Sequence, residues 1–426
     1  MKILHFSSAI YPIDNGGTEA YINNLINEQK KFHNVNDVLW AVHKNGILDS
    51  QKGLLNDGKK IISPISANRL QSFTGDCSNF KSFEELLKSY SPDIVHLHNF
   101  NFKCGINHAI LAKKFKCKLI ITIHTTPCRC LGNAIFYSDP KLTGKFNDQI
   151  CTANQLYEKG LPKPLAYLIS HQKYFSFNPE NKNIISRVLS CRKLTNKLHN
   201  NYKNFLEIAD KIHVYAKWIE NLIHNQGIPN NKVVLIRPGI SQEIIKHKRK
   251  LMEDGVFKLI FFGRCDEQKG IHLIIKAIKQ LSSKVPISLD IYSNGWTGDY
   301  SLYIEKLIKG DKRFNIHIGF NKDLIKKKLN GYDLVVIPSL WFETGPLVAL
   351  EALSARIPIA ATDRGGLKEI LDNVDNCFLI KPISKCWKDL FLKMMLKKGE
   401  ENEVKCLPQH TFKNVAEQMI QNLYFS

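Results

Sequence analysis

The chain has 426 residues, of which 44% are hydrophobic, 10% aromatic and 23% charged. That length predicts two or three domains, and the composition excludes a disordered, collagen-like or low-complexity protein. Lys and Arg (60) outnumber Asp and Glu (39) for a net charge of +21, and +12 of it falls in residues 101–200, which hold 16 basic and 4 acidic residues. Such a field favours nucleic acid, anionic lipid headgroups or phosphorylated substrates; a solvated Lys-rich surface fits the same count. The longest apolar runs, such as 119–123 and 259–262, are strand-sized and far short of a membrane span. Met1-Lys2 leads directly into a strand-like segment, so no secretory leader is expected. The 11 cysteines, odd in number and scattered, point to reduced thiols and a cytoplasmic compartment.

In chain order, short apolar runs alternate with helical segments, the pattern of parallel sheets with crossover helices. Strands are predicted at 2–7, 37–43, 93–98, 118–124, 211–215 and 232–236, and helices at 18–32, 80–89, 106–115, 202–208 and 217–225. Residues 125–200 are irregular and rich in Cys, Pro, Asn and Lys. They read as an insertion at the carboxyl end of a strand, where open α/β sheets place their sites. A second α/β unit begins near Val256, with strands at 256–262, 287–292, 314–318, 334–337, 357–361 and 377–379. Its helices start near Lys269, Asp299, Lys322, Pro346, Gly366 and Ser384. The boundary follows Arg237-Pro238-Gly239, with a charged linker or edge helix at 246–254, and a last helix spans 411–424.

The second unit opens on a strand ending in Phe262-Gly263-Arg264, and Lys269-Gly270 follows at the start of a helix. A glycine there lets the backbone approach a ligand. Arg264 could grip a diphosphate bidentately, with Lys269 as a point charge and the helix N-terminus behind it; a turn with two solvated cations fits the same residues. After the strand 334–337 come Glu343-Thr344-Gly345-Pro346-Leu347 and then Val348-Ala349-Leu350-Glu351. Pro346 suits the first helical turn and Thr344 or Gly345 its cap, so the helix mouth presents free N–H groups beside Glu343. Glu351 lies roughly 7 Å further along the axis, so the two carboxylates could reach two polyols of one elongated ligand. Its neighbours are nearly all apolar, and a carboxylate in such a run needs a partner.

Together with Asp363, Gly365-Gly366 and Glu369, these motifs resemble the retaining glycosyltransferases of family 4, the glycosyl transferases group 1 proteins. In the first half, Tyr11-Pro12, Gly16-Gly17-Thr18-Glu19, Asp93-Ile94-Val95-His96-Leu97-His98 and Ile121-Thr122-Ile123-His124 match as well. So does Arg237-Pro238-Gly239-Ile240, where the family usually has an Asn-Gly pair. The resemblance implies an α/β GT-B fold, with two Rossmann-like domains facing each other across a cleft and a C-terminal helix crossing back to the first. It implies an acceptor-side domain at 1–240 with the basic insertion, a nucleotide-sugar domain at 241–405, and a C-terminal helix at 406–426. Arg264, Lys269, Gly263, Gly16 and Gly17 would bind the donor diphosphate. Gly345, Pro346 and Leu347 would hold sugar and phosphate, Glu351 the ribose, and Gly319 with Phe320 the base. His124 and Glu343 would be catalytic. His124 also reads as a structural histidine ending an apolar strand, and Thr125 stands where many relatives carry Asp. His96 and His98 read as packing or loop contacts.

The reaction implied moves a hexose from a UDP- or GDP-sugar to a saccharide or lipid-linked glycan, in bacterial cell-surface polysaccharide or lipopolysaccharide synthesis. No Asp-x-Asp clamp stands out, so neither metal nor other cofactor is expected, and front-face attack needs no side-chain base of the kind hydrolases use. Cys128, Cys130 and Cys151 lack the paired spacing of a zinc ribbon. Lysines from Lys163 to Lys203 interleave with Leu165, Tyr167, Leu168, Tyr174 and Phe175, which suggests an anionic membrane surface at the inner face of the cytoplasmic membrane. Two other readings stay open. A basic nucleic-acid-binding protein is suggested by charge alone, with no recognition motif, so no nucleic acid partner is expected. A GT-B sugar-nucleotide epimerase or phosphorylase is disfavoured by the Glu343/Glu351 spacing, and a dehydrogenase by the missing Gly-x-Gly-x-x-Gly.

Overall fold

Two sets of apolar runs assemble into two parallel sheets. The computed structural model describes all residues except 15, 45–57, 79, 126–146, 172–182, 241–249, 320–327, 402 and 406–409. The first sheet comprises β1 (Lys2–Ser7), β2 (Asp37–His43), β3 (Lys59–Ile62), β4 (Ile94–His98), β5 (Lys118–Thr122), β6 (Lys211–Val214) and β7 (Val233–Leu235). Its helices are α1 (Gly17–Gln29), α2 (Arg69–Thr74), α3 (Lys81–Tyr90), α4 (Ile106–Lys114), α5 (Asp148–Glu158), α6 (Lys163–His171), α7 (Ile184–Leu189), α8 (Cys191–Ile208) and α9 (Lys217–His224). The second sheet comprises β8 (Phe257–Phe262), β9 (Ile287–Ser293), β10 (Phe314–Ile318), β11 (Leu334–Ile337), β12 (Ile359–Thr362) and β13 (Cys377–Ile380). With it go α10 (Ile271–Lys279), α11 (Asp299–Ile308), α12 (Leu347–Ser354), α13 (Gly365–Leu371) and α14 (Ser384–Met395). A final helix, α15 (Phe412–Met419), ends in a widened turn, Ile420–Tyr424.

The strand orders are β3-β2-β1-β4-β5-β6-β7 and β10-β9-β8-β11-β12-β13. Each winds outward from its first strand and then reverses, which puts a topological switch point between β1 and β4, and another between β8 and β11. The chain forms two compact units, Met1–Pro238 with Phe412–Ser426, and Gly239–Thr411.

Helices cover both faces of each sheet, so the strands are buried on both sides. In the second unit, Leu259, Phe261, Leu289 and Ile291 pack on one face with Trp387 and Phe391. Ile260, Val335, Ile359 and Ala361 pack on the other with Ala349 and Leu353 of α12. The first unit divides differently. Leu4, Phe6, Val95, Leu97, Ile121, Ile212 and Val214 form an apolar face against Phe83, Ala109 and Phe205. The alternate positions hold His5, His96, His98, Thr122 and His213, all buried and therefore on the opposite face. Register sets His5 beside His96, His98 beside Thr122, and Thr122 beside His213. The C-terminal segment packs on α1 and on β5 and β6.

Within the expected irregular insertion, the described residues 148–171 and 183–200 are mostly helical. Cys191, Thr195, Leu198, His199, Tyr202, Phe205 and Leu206 are buried along α8, a helical stripe in which Cys, Thr and His sit at apolar positions and blur the pattern. The Asn147 and Asn183 side chains accept from Ile150 and Ile185 N–H to start α5 and α7. β3 and α2 were not foreseen; α2 begins with a reciprocal cap between Asn68 and Gln71. Cys128, Cys130, Tyr174, Phe175 and the predicted helix start at Lys322 lie outside the described residues.

Leu423 is fully buried in the C-terminal turn. Leu423→Ala should lower stability to urea unfolding by about 2–5 kcal/mol, the cost of an unfilled core cavity; a loss under about 1 kcal/mol would mean that this segment does not cap the first unit.

Candidate functional site

At the second switch point, β8 leads into Gly263-Arg264 and β11 leads into the loop 338–346. That loop is tied on three sides. Leu340 N–H donates to Gln268 O at 2.8 Å, Arg364 Nη1 to Leu340 O at 2.6 Å, and Gly366 N–H to Glu343 O at 2.7 Å. Two glycines permit this approach. A Cβ at Gly270, where φ is +68°, would lie 2.0 Å from Pro338 O, and one at Gly366 would lie 2.7 Å from Thr344 O; either would push the loop away.

Glu343 is 9% exposed, and its Oε1 accepts from Lys269 Nζ and from Ser339 Oγ, both at 2.7 Å. Burial pushes the carboxyl up, but the Lys269 charge and these hydrogen bonds outweigh it and hold Glu343 below the usual carboxylate range. Asp266 fixes the turn that delivers Lys269 by accepting from its N–H, and Nζ sits 5.2 Å from the Trp341 ring centre. Arg264 is placed otherwise. Its side chain is 63% exposed and 3.2 Å from Asp266.

The helix mouth forms one residue later than expected: Pro346, at φ −71° and ψ 94°, is itself the cap, and Leu347 is the first helical residue. Ala349 and Leu350 N–H both reach Pro346 O, so the N–H groups of Leu347 and Val348 precede the first intrahelical bond. Gly345 adjoins them, and Glu351 is half-buried in the middle of α12. Gly319 is exposed at the end of β10 with φ +72°; Phe320 lies outside the described residues.

The first unit places a continuous line of buried polar groups over β1, β4, β5 and β6. Tyr215 OH lies 3.1 Å from His124 Nδ1, His124 Nε2 3.0 Å from His98 Nδ1, and His98 Nε2 2.9 Å from His5 Nδ1. His5 Nε2 is 2.7 Å from Gln29 Oε1, and Gln29 Nε2 donates to Tyr424 OH at 2.9 Å. Tyr424 OH lies 2.8 Å from His96 Nδ1, and His96 Nε2 2.6 Å from Thr122 Oγ1. Thr122 Oγ1 is 3.0 Å from His213 Nδ1, and His213 Nε2 lies 2.9 Å from Ile236 O. Burial holds these imidazoles far below their ordinary value: His5 and His213 at about 4, His124 at about 3 with His213 adding to the effect, and His96 and His98 likewise well below it through burial and their histidine neighbours. All five rings are neutral at pH 7.

His124 is 6% exposed, with both ring nitrogens engaged inside this line. Its backbone is set by Asn99, at φ +72°, whose Oδ1 accepts from His124 and Thr125 N–H at 3.0 Å each. One nitrogen from each of His5, His96 and His98 falls within 4.8 Å of the others, a spacing open to a metal ion. Every one of those ring nitrogens already has a protein partner, so an ion would have to break the line. Gly16 caps α1 in extended conformation and Gly17 begins it. A separate cavity of about 220 Å³ in this unit is lined by Phe73, Phe100, Asn101, Leu198 and His199, with Cys151 at its wall.

The structure therefore joins Lys269 to Glu343 and leaves Arg264 apart. It adds Ser339, Trp341 and Arg364 around the loop, and Asn99, His5, Gln29, His213 and Tyr424 around His124, none of which was singled out from sequence. The available signal was histidine at alternating places in otherwise apolar strands. Leu165, Tyr167, Leu168, Ile184 and Ile185 of α6 and α7 are exposed, and no helix among the described residues is long and apolar enough to cross a membrane.

Residues 242–405 match the family model described as Glycosyl transferases group 1. The chain is 32% identical over 195 residues to an uncharacterized glycosyltransferase of Methanocaldococcus jannaschii, covering 42% of this chain and 49% of that protein. It is 26% identical over 211 residues to the lipopolysaccharide 1,2-N-acetylglucosaminetransferase of Salmonella typhimurium, covering 45% and 55%. The chain thus spans about half the length of these relatives. Among solved structures, Anabaena HepE in complex with UDP and glucose superposes with a TM-score of 0.59 at 16% identity, over 99% of this chain and 95% of that one. The UDP-GlcNAc 2-epimerase of Methanocaldococcus jannaschii superposes with a TM-score of 0.53 at 12% identity, over 100% of both. At these identities the likeness fixes the fold, which is GT-B.

The neutral histidine line has a pH signature. An unfolded histidine takes up a proton below about 6.5 and a buried one does not, so the line's stability is present above pH 6.5 and is lost as pH falls toward 4. At pH 5 this amounts to about 2 kcal/mol for a ring held at about 4, such as His5 or His213. Urea unfolding at pH 7, 6 and 5 should show stability falling across that interval, above the carboxylate range; a flat profile would contradict neutral buried rings.

Proposed function

We propose, from the match of residues 242–405 to the glycosyl transferases group 1 model and from the GT-B fold, a retaining glycosyltransferase that moves a hexose from a UDP- or GDP-sugar to a saccharide or lipid-linked glycan, in cell-surface polysaccharide or lipopolysaccharide synthesis. The observation that carries this reading is the second switch point. There a buried carboxylate, Glu343, is held by Lys269 on a tied loop that runs into the mouth of α12.

Breaking a glycosyl–phosphate bond builds positive charge on the sugar and negative charge on the leaving diphosphate. The exposed Arg264 exchanges its Asp266 partner for the diphosphate, Gly263 lets the backbone come close, and the N–H groups beside Gly345, Pro346 and Leu347 face its oxygens. Lys269 is shared between phosphate and Glu343, which accepts from sugar hydroxyls; Glu351 accepts from the ribose. These groups stabilise the leaving group without a metal. His124, neutral with both nitrogens engaged, meets its substrate as a fixed ring and not as a base. That suits front-face transfer, in which the leaving phosphate takes the acceptor proton. The epimerase likeness supports a second reading, since a UDP-sugar epimerase uses the same fold.

The reading seats the first unit on an anionic membrane surface. Support comes from the exposed Leu165, Tyr167, Leu168, Ile184 and Ile185, which share α6 and α7 with Lys163 and Arg187 in the most basic quarter of the chain.

A thermal-shift series with UDP-, GDP-, ADP- and dTDP-sugars should show one nucleotide class raising the melting temperature, unchanged by EDTA. Arg264→Ala should weaken that binding by about 2 kcal/mol, the worth of a charge-assisted contact. Stabilisation by nucleic acid oligomers alone would overturn the reading. Co-sedimentation with vesicles should rise with anionic lipid, fall with salt, and drop in Leu168→Ser/Ile184→Ser; indifference to lipid charge would remove the membrane seat.

A further inference from the structure

A neutral imidazole has one donor and one acceptor nitrogen, so the line from Tyr215 to Ile236 can be solved for its protons. The Ile236 carbonyl can only accept, so His213 carries its proton on Nε2 and accepts at Nδ1. Thr122 must then donate to His213 and accept from His96 Nε2, which leaves His96 Nδ1 an acceptor. Tyr424 spends its single hydroxyl proton on His96 Nδ1 and must accept from Gln29 Nε2. The Gln29 amide is thereby oriented with Oε1 toward His5. From there His5, His98 and His124 are each protonated on Nε2, and Tyr215 donates to His124 Nδ1. All nine hydrogen bonds run one way.

The two arms of this line are not equally pinned. The arm His96–Thr122–His213 ends on a backbone carbonyl. The arm His5–His98–His124 ends on a hydroxyl and on an amide, and both of those can donate or accept. Its direction is imposed through Gln29 by the Tyr424 hydroxyl, because the hydroxyl beside Tyr215 at the other end, that of Tyr21, can itself donate or accept. Without that hydroxyl the amide can turn over and donate to His5. Every proton in the arm then moves to Nδ1 with no hydrogen bond lost. His124 would donate to Tyr215, and the Tyr215 proton would be released from the line.

We propose that Tyr424, in the C-terminal turn, is a positioning residue that sets the hydrogen-bond direction of the His5–His98–His124 arm and so the tautomer that His124 presents. Its bearing on turnover rests on the transferase reading; its bearing on the tautomer does not.

The test is nitrogen NMR of the full chain labelled with ¹⁵N-histidine, the five signals assigned by single His→Gln variants. In the unaltered protein His5, His96, His98, His124 and His213 should all be Nε2–H. His43, whose Nδ1 faces Ser63 O at 2.7 Å, supplies an internal Nδ1–H reference. An Nδ1–H signal from any of the five would overturn the solved direction. In Tyr424→Phe, Nδ1–H signals should appear for His5, His98 and His124 but not for His96 or His213; a His124 that stays wholly Nε2–H would refute the role of Tyr424. Thr122→Val offers a second cut: removing that link should mix the tautomer of His96 as well while sparing His213, and an unmixed arm counts against the proposal. With a donor in hand, Tyr424→Phe should lower kcat by about tenfold with donor KM unchanged, since tautomer and orientation are altered but not binding. Mixed tautomers with unchanged kcat would confine Tyr424 to a structural role. A protein that turns over no nucleotide-sugar would sink the transferase reading and leave the tautomer result intact.

Discussion

Five histidines buried on one face of the first sheet must pair their ring nitrogens away from bulk water, and the first unit is organised around that demand. A buried donor or acceptor left unpaired costs about 1–3 kcal/mol, so each ring needs a neighbour at hydrogen-bond distance. Parallel register supplies some of them: it sets Thr122 directly beside His213, while diagonal places on adjacent strands bring His5 to His98 and His96 to Thr122. Two partners must come from elsewhere. Gln29 comes from the end of α1, and Tyr424 comes from the chain's last turn. The return of the C-terminal segment to this unit is thus a polar requirement as well as an apolar one.

The second unit meets its own constraint by different means. Its sheet packs largely apolar side chains on both faces. A polar cluster in which Asp290 of β9 pairs with Asn315, His317 and Tyr332 stands apart, and the polar groups of the candidate site gather beyond the carboxyl ends of β8 and β11. There Glu343 stays ionised because Lys269 and Ser339 reach it, and the loop keeps its place because Gly270 and Gly366 leave room for it. Rigid placement of such groups is what electrostatic stabilisation of a leaving group requires, since nothing then has to reorganise during the reaction. Arg264 stands outside the pairing of Lys269 with Glu343, exposed and 3.2 Å from Asp266.

Much of this was legible in the sequence. The doubly wound α/β class followed from alternating apolar runs and helices, because strands buried on both faces read as continuous apolar segments. The residues at the second switch point were legible because glycine, proline and isolated charges at strand ends have few structural uses. Their pairing was not: Lys269 and Glu343 are far apart in sequence, and nothing local says that a lysine will meet a carboxylate. The helices between Asp148 and Ile208 were obscured by Cys, Thr and His at buried positions of α8. His96, His98 and His124 were noticed, but His5 and His213 become their partners only through strand register, which no single segment carries. The tyrosine that closes the line sits at the far end of the chain.

The central claim is that the polar groups beyond β8 and β11 serve transfer of a sugar from a nucleotide with retained configuration. The most direct measurement is proton NMR of purified protein with an α-linked UDP- or GDP-sugar in EDTA, followed from the first turnovers. The account predicts release of nucleoside diphosphate and a first-formed product sugar that keeps the α configuration. An inverted product, or a nucleotide-sugar that returns epimerised with its diphosphate bond intact, would contradict it.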